Sequence, residues 1–163
     1  MGNAVDRARA AALRLLAGRE LTASEVGERL ARKGFEREAI DTALARLISD
    51  GLLDDRRAAM VRARHSAGVR GRGPARVLAE LRHAGIAAGI AREVVEEVFS
   101  GVDRAALIDR AIERRLAAAG KEPVAAFRRL HARLVRLGFS SGEAYDALRR
   151  RLAPPGEDAA QGE

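Results

Sequence analysis

VLAELRHAGI, residues 77–86, contains a pattern that occurs at two other places in the chain. Apolar residues stand four and eight positions before Gly85, and another apolar residue follows it directly. The same arrangement surrounds Gly34 and Gly138, which lie 51 residues before and 53 residues after Gly85. Positions four and eight apart share one face of a helix, and glycine in the left-handed conformation commonly follows the end of a helix. The pattern therefore predicts an amphipathic helix that occurs three times.

The rest of the chain also favours helix. Ala, Leu, Arg and Glu are abundant, and no segment alternates apolar and polar residues as a half-buried strand would. Glycines and prolines divide the sequence into segments of ordinary helical length. We therefore predict an all-α fold of three tandem three-helix repeats that form an elongated, curved helical body. The predicted helices are 4–17, 23–33, 36–50, 54–68, 74–84, 88–100, 103–119, 124–137 and 141–152.

The domain boundaries follow from this repeat. The first repeat is predicted at 1–53, the second at 54–102 and the third at 103–152. Residues 153–163 begin with two prolines after Ala153 and continue with small, polar and acidic residues, which predicts a disordered acidic tail.

Capping signals mark several helix starts. Thr22 with Glu25, and Ser140 with Glu143, have the spacing of a capping box, in which each side chain accepts a hydrogen bond from the backbone amide of the other residue. The carboxylates of Asp54 and Asp55 could suggest a metal site, but capping at the positive end of a helix explains them more simply.

Composition excludes several functional classes. The chain has 163 residues, 47% of them apolar and 33% charged, and it contains no cysteine, so it has no thiol nucleophile, disulfide or Cys-ligated metal. The three histidines have no second ligand at metal-binding spacing. No segment is apolar enough for a membrane span or a signal peptide. We therefore expect a cytoplasmic, monomeric protein that is not an enzyme and has no cofactor, metal or membrane partner.

Positive charge is concentrated in the middle of the chain. There are 30 basic and 23 acidic residues, a formal net charge of +7, and only Lys33 and Lys121 are lysines. Between Arg56 and Arg82 every basic residue is an arginine, and Glu80 is the sole acidic residue. A compositional bias toward Ala and Arg would also explain this. As a partner-binding basic stripe, the pattern predicts Arg57, Arg64, Arg70, Arg72, Arg76, Arg82, Arg128, Arg129 and Arg133.

Such a stripe could meet nucleic acid directly. Arginines can follow a phosphate backbone, but single-strand readers normally stack bases on exposed aromatic rings, and aromatics make up only 3% of this chain. We expect weak, salt-sensitive contact with single-stranded DNA at most. Two functional alternatives remain open, a direct single-stranded nucleic-acid-binding protein and a helical scaffold for an unrelated acidic partner.

Two segments together carry a family resemblance. GLLDD (residues 51–55) is followed by GPARVLAELRHAGI (73–86), and the earlier repeat contains LTASEV (21–26) and LARKGF (30–35). This combination resembles the RecX regulatory proteins, and the resemblance extends from about residue 8 to residue 152.

The resemblance implies three-helix repeats and a modulator of the bacterial RecA recombinase. A protein of this family is expected to bind the RecA filament on single-stranded DNA and to inhibit its ATPase, strand-exchange and LexA coprotease activities. It would thereby regulate DNA repair, homologous recombination and the SOS response. The resemblance assigns no individual contact residues, so the basic stripe remains a prediction from charge alone.

Overall fold

The computed structural model describes residues 2–118, 120 and 122–152. This part of the chain contains nine α-helices and no strand. The helices are α1 (Gly2–Leu16), α2 (Ala23–Arg32), α3 (Arg37–Ser49), α4 (Asp55–Gly68), α5 (Pro74–His83), α6 (Ala88–Ser100), α7 (Arg104–Leu116), α8 (Pro123–Leu137) and α9 (Ser141–Arg149). The predicted all-α fold of three-helix repeats is confirmed. The predicted tail, residues 153–163, lies outside the described residues.

Two helices end three residues earlier than predicted, whereas the other predicted ends agree to within one residue. Helix α7 ends at Leu116 and α9 at Arg149, each three residues before the predicted position. Leu116 and the two residues after it are exposed, as are the three arginines 149–151. Because short helices are stabilised mainly by tertiary packing, the exposed last predicted turn of α7 has little to hold it.

The predicted helix ends have the expected local geometry. Gly34, Gly85 and Gly138 have φ values of +82°, +78° and +97°, the left-handed conformation. Both capping boxes form. The Thr22 hydroxyl accepts a hydrogen bond from the Glu25 amide at 3.1 Å, and the Glu25 carboxylate accepts one from the Thr22 amide at 3.1 Å. Helix starts and stops were therefore readable from local chemistry.

The described residues form two compact units. Unit 1 comprises the chain up to Arg64 together with Leu78–Val95, and unit 2 comprises His65–Val77 together with the chain from Glu96 onward. All three unit boundaries fall in the predicted second repeat and inside helices, within α4, α5 and α6. The division into repeats at 1–53, 54–102 and 103–152 stays a prediction.

Each unit has its own apolar core. In unit 1, α1, α2 and α3 pack together around Leu21, Val26, Leu30 and Leu47, all of which are at most 1% exposed. In unit 2, the buried residues of α7, α8 and α9 include Ile108, Ile112, Phe127, Leu134 and Leu148. Burial of these side chains is the main favourable contribution to folding of each unit. Among the described residues, no helix has the length and apolar character needed to span a membrane.

Candidate functional site

The nine predicted stripe arginines are divided between the two units. Unit 1 holds Arg57, Arg64 and Arg82, and unit 2 holds Arg70, Arg72, Arg76, Arg128, Arg129 and Arg133. Arg72 and Arg133 are half-buried, and the other seven are exposed. The structure therefore gives two separate sets of candidate residues, which are described in turn.

Several arginines of unit 1 are paired with carboxylates. The Nε atom of Arg57 lies 2.9 Å from Glu20 Oε1, and its terminal nitrogens donate to the carbonyl oxygens of Gly51 and Leu52 at 3.4 Å. Arg62 forms an ion pair with Glu25, the acidic member of the capping box. Arg9 and Arg46 pair in the same way with Asp50 and Asp6. Part of the positive charge in this unit, including that of the stripe residue Arg57, is therefore neutralised locally.

A pocket in unit 2 brings together four arginines. Two of them, Arg70 and Arg133, belong to the predicted stripe, whereas Arg110 and Arg114 were not predicted. The four side chains come from the turn after α4, from α7 and from α8, and the pocket has a volume of about 50 Å³. No carboxylate of the described residues lines it. The lining residues are Gly68, Arg70, Gly71, Leu107, Arg110, Ala111, Arg114, Arg133 and Leu137.

The two missed arginines had a recognisable signal. Arg110 and Arg114 are four residues apart on α7, so they share one face of that helix. The basic stripe was predicted from a local excess of positive charge. In α7, acidic residues lie among the arginines, so this excess is smaller there. Asp109 and Glu113 of α7 are both bound by Arg151, at 3.4 Å and 3.2 Å.

A second arginine-rich pocket lies on α7 and α8 and includes Arg133 as well. Its volume is about 350 Å³, and it is lined by Arg115, Ala118, Arg129, Leu130, Arg133 and Arg136. Arg129 and Arg133 are predicted stripe residues. Arg128, the remaining stripe residue on α8, is exposed and lines neither pocket.

The turn that carries Arg70 is held by backbone hydrogen bonds. The amides of Arg70 and Arg72 donate to the carbonyl oxygens of His65 and Ser66, at 3.3 Å and 3.0 Å, in the last turn of α4. Gly71, in the same turn, has φ +62°, a conformation that an L side chain rarely adopts. Arg70 therefore projects from an ordered turn.

This turn leads into a close contact between α5 and α8, the α5/α8 junction. The Gly73 amide donates to Leu137 O at 2.7 Å, and the Ala75 amide donates to Gly138 O at 3.2 Å. A Cβ atom on Gly73 would lie 2.5 Å from the Gly138 carbonyl, so no larger residue fits without movement. These contacts fix the start of α5 against the end of α8 within unit 2.

Unit 1 has a corresponding contact between α2 and α5, the α2/α5 junction. The Thr22 hydroxyl donates to Ala84 O at 2.7 Å, and a Cβ atom on Gly85 would lie 2.3 Å from Ser24 Cβ. Asp55 also contributes, because its carboxylate accepts a hydrogen bond from the Ala23 amide at 2.7 Å. Asp54 caps its own helix by accepting from the Arg57 amide at 3.0 Å, as predicted, whereas Asp55 caps α2.

One carboxylate has a shifted pKa. The Ser140 hydroxyl donates to Glu143 at 2.7 Å and, with the Ser140 amide and the nearby Arg104 guanidinium, holds the pKa of Glu143 below its usual value despite partial burial. This carboxylate serves the capping box of α9. Among the described residues, no group of three or more His, Asp or Glu side chains could hold a metal ion.

An all-α chain of three-helix repeats with arginine-lined pockets defines a class of helical-repeat binding proteins. A family model described as "RecX, first three-helix domain" matches residues 8–47. The regulatory protein RecX of Halorhodospira halophila is 38% identical over 161 residues, which cover 99% of this chain and 96% of that protein. The Thermobifida fusca protein of the same name is 36% identical over 155 residues, 92% of this chain and 81% of that one. The chain belongs to the RecX family, and it is a RecX-type regulatory protein.

Solved structures show the same fold. The crystal structure of RecX from Lactobacillus salivarius superposes with a TM-score of 0.77 at 17% sequence identity, covering 92% of this chain and 97% of that one. A second crystal structure, of a regulatory protein RecX, gives a TM-score of 0.76 at 21% identity and covers 91% and 73% of the two chains.

Proposed function

We propose that this protein binds the RecA filament on single-stranded DNA and inhibits its ATPase, strand-exchange and LexA coprotease activities. Through this inhibition it regulates DNA repair, homologous recombination and the SOS response. The observation that carries the proposal is the 38% identity to a regulatory protein RecX over nearly the whole length of both chains.

The surface chemistry supports binding to a polyanionic assembly. Arg64, Arg82 and Arg128 are exposed on α4, α5 and α8, and each is a predicted stripe residue. Guanidinium groups at such positions can meet carboxylates of a protein filament or phosphates of its DNA. Repeat proteins usually bind through many modest contacts along a surface, and exposed arginines of several helices suit this mode.

The first test is the DNA-dependent ATPase of the cognate RecA. The protein is titrated from far below one molecule per RecA subunit upward, and its binding to the same DNA without RecA is measured at equal salt. We expect inhibition at strongly substoichiometric amounts, before the bare DNA is occupied. An unchanged ATPase rate at saturating protein would contradict the proposal.

The stripe is tested by charge reversal at exposed positions. Arg64→Glu with Arg128→Glu should weaken filament binding more than ten-fold at low salt, the magnitude typical of interfacial charge pairs. Arg14→Glu with Arg32→Glu is the matched control, because both side chains are exposed, lie outside the stripe and change the net charge equally. Equal effects of the two double variants would remove the stripe assignment and leave the RecA proposal standing.

A second candidate function is direct binding of single-stranded DNA. The unit 2 pocket favours it, because the described residues that line this pocket include four arginines and no carboxylate. Coating of DNA that decreases steeply with added salt, together with no effect on the RecA ATPase, would favour this candidate over the first.

A further inference from the structure

We propose that Arg70, Arg110, Arg114 and Arg133 form a binding site for a single phosphate group. The inference does not depend on the RecA proposal, since it concerns an anion bound by unit 2 itself. Its ligand is either a phosphodiester of nucleic acid or a free phosphate, and the chemistry of recognition is the same for both.

The charges around the pocket are not balanced by acidic residues in the described part of the chain. Arg70, Arg114 and Arg133 form no ion pair with any residue that the structure describes. The nearest acidic residues in sequence, Asp109 and Glu113, are bound by Arg151. Several like charges at one pocket repel each other, and a bound anion would remove this repulsion.

The hydrogen-bonding capacity of the pocket is also incompletely used. The Nε atom of Arg133 is buried and has no hydrogen-bond partner in the described part of the chain. Arg110 donates from Nε to the carbonyl oxygen of Ala106 at 3.2 Å, which holds its side chain along α7. A buried donor without a partner is costly, and a bound anion would supply an acceptor for the Arg133 guanidinium.

The size and geometry of the pocket suit one phosphate. Its volume of about 50 Å³ leaves room for a small anion. The planar guanidinium donates two parallel hydrogen bonds that match two oxygens of a phosphate, which a lysine ammonium cannot do. Because Arg70 is on an ordered turn and the others are on α7 and α8, the backbone positions that carry the donors are fixed before an anion binds.

The test compares two double variants with equal net charge. Arg70→Gln with Arg114→Gln removes two exposed pocket residues, and Arg32→Gln with Arg92→Gln removes two exposed arginines that lie outside both the pocket and the stripe. Circular dichroism checks folding of both. If Arg70→Gln with Arg114→Gln unfolds, Arg114→Lys takes its place, because it retains the charge and loses the paired donors.

Two measurements are made on each variant and on the unsubstituted chain. Thermal unfolding is recorded in sodium phosphate and in sodium chloride at equal ionic strength, and binding of labelled oligo(dT) is followed by fluorescence anisotropy. We expect phosphate to raise the Tm of the unsubstituted chain and of the control variant, and not that of the pocket variant. A ten-fold loss of oligo(dT) affinity confined to the pocket variant would identify the phosphodiester as the ligand.

The outcomes separate the alternatives. A phosphate effect confined to chains with an intact pocket, without a difference in oligo(dT) binding, supports a free-phosphate site. The proposal is overturned if both double variants behave alike in both measurements. It is also overturned if an acidic peptide such as poly-Glu stabilises the chain and neither phosphate nor oligo(dT) does, because the pocket would then recognise carboxylates.

Discussion

In unit 1 the end of α5 contacts the start of α2, and in unit 2 the end of α8 contacts the start of α5. The two junctions use corresponding positions of successive repeats. Thr22 and Gly73 each precede the first residue of their helix, and Ala84 and Leu137 each precede the left-handed glycine. The bond from Thr22 Oγ1 to Ala84 O therefore corresponds to the bond from the Gly73 amide to Leu137 O.

The chemistry of the two junctions differs. At the α2/α5 junction the donors and acceptors include side chains, namely the Thr22 hydroxyl and the Asp55 carboxylate. At the α5/α8 junction the described hydrogen bonds join backbone groups, and Gly73 and Gly138 permit the close approach because they have no Cβ atom. The same helix arrangement is thus stabilised by side-chain hydrogen bonds in unit 1. In unit 2 it is stabilised by backbone hydrogen bonds, which form because the two glycines have no side chains.

The largest loss of stability is expected when one methyl group is added to the α5/α8 junction. In Gly138→Ala the new Cβ would lie 2.3 Å from the Arg76 backbone nitrogen, in addition to the strain of φ +97°. We expect a loss of about 3 kcal/mol in the free energy of unfolding, measured in urea.

Gly34→Ala is the matched control for this substitution, since Gly34 has φ +82° and nothing within 4 Å of its Cβ position. It should cost only about 1 kcal/mol, the strain of the left-handed backbone. Equal losses in the two variants would show that the junction in unit 2 tolerates a side chain, contrary to the comparison.

The second-largest loss of stability is expected when the buried Thr22 hydroxyl is removed from the α2/α5 junction. Thr22 is fully buried, and Thr22→Val keeps its volume while removing both its bond to Ala84 O and its capping bond with Glu25. We expect a loss of about 2 kcal/mol by thermal or urea unfolding. Thr22→Ser keeps the hydroxyl and should lose clearly less; a Ser variant as unstable as the Val variant would show that packing, not hydrogen bonding, stabilises this junction.

A smaller loss of stability is expected when Asp55 is substituted. Asp55→Asn retains an oxygen for the Ala23 amide but loses the negative charge near the positive end of α2. The loss should be about 1 kcal/mol at low salt and should shrink as salt screens the charge. Asp41→Asn, which removes an acid from an exposed i,i+4 pair with Arg37, is the comparison and should change stability by less than about 0.5 kcal/mol.

The smallest effect depends on pH. The pKa of Glu143 is lower in the folded chain than its ordinary value of 4.5, chiefly because of the Ser140 hydroxyl. Its contribution to stability is therefore fully present above pH 4.5 and is lost as the pH falls through the folded-state pKa. The stability difference between the unsubstituted chain and Glu143→Gln should decrease in that acidic range; a difference that grows on acidification would contradict the assignment.

Local features of the fold could be predicted from the sequence. The left-handed glycines, both capping boxes and most helix ends depend on neighbouring residues, which the sequence displays directly. The approach of Gly73 to Gly138 could not be predicted, because it joins positions 65 residues apart and neither glycine identifies its partner. The role of Asp55 was missed for the same reason, since the helix that it caps lies one repeat earlier.

The candidate site was only partly predictable. A count of charge along the chain found Arg70 and Arg133 but could not distinguish arginines that carboxylates neutralise, such as Arg57, from those that line a carboxylate-free pocket. Arg110 and Arg114 were not predicted, because the arginines of this pocket come from segments that are far apart in sequence. A count of charge along the chain does not bring such segments together. A search for i,i+4 arginine pairs on each predicted helix would have found Arg110 and Arg114.

The α5/α8 junction also makes two amide protons informative. The first amides of a helix have no acceptor within it and normally exchange with solvent deuterium quickly. At the start of α5, however, the amides of Gly73 and Ala75 are held by carbonyl oxygens at the end of α8. Their exchange rates therefore report how often α8 detaches from α5. Hydrogen exchange at these two amides thus measures local opening of unit 2.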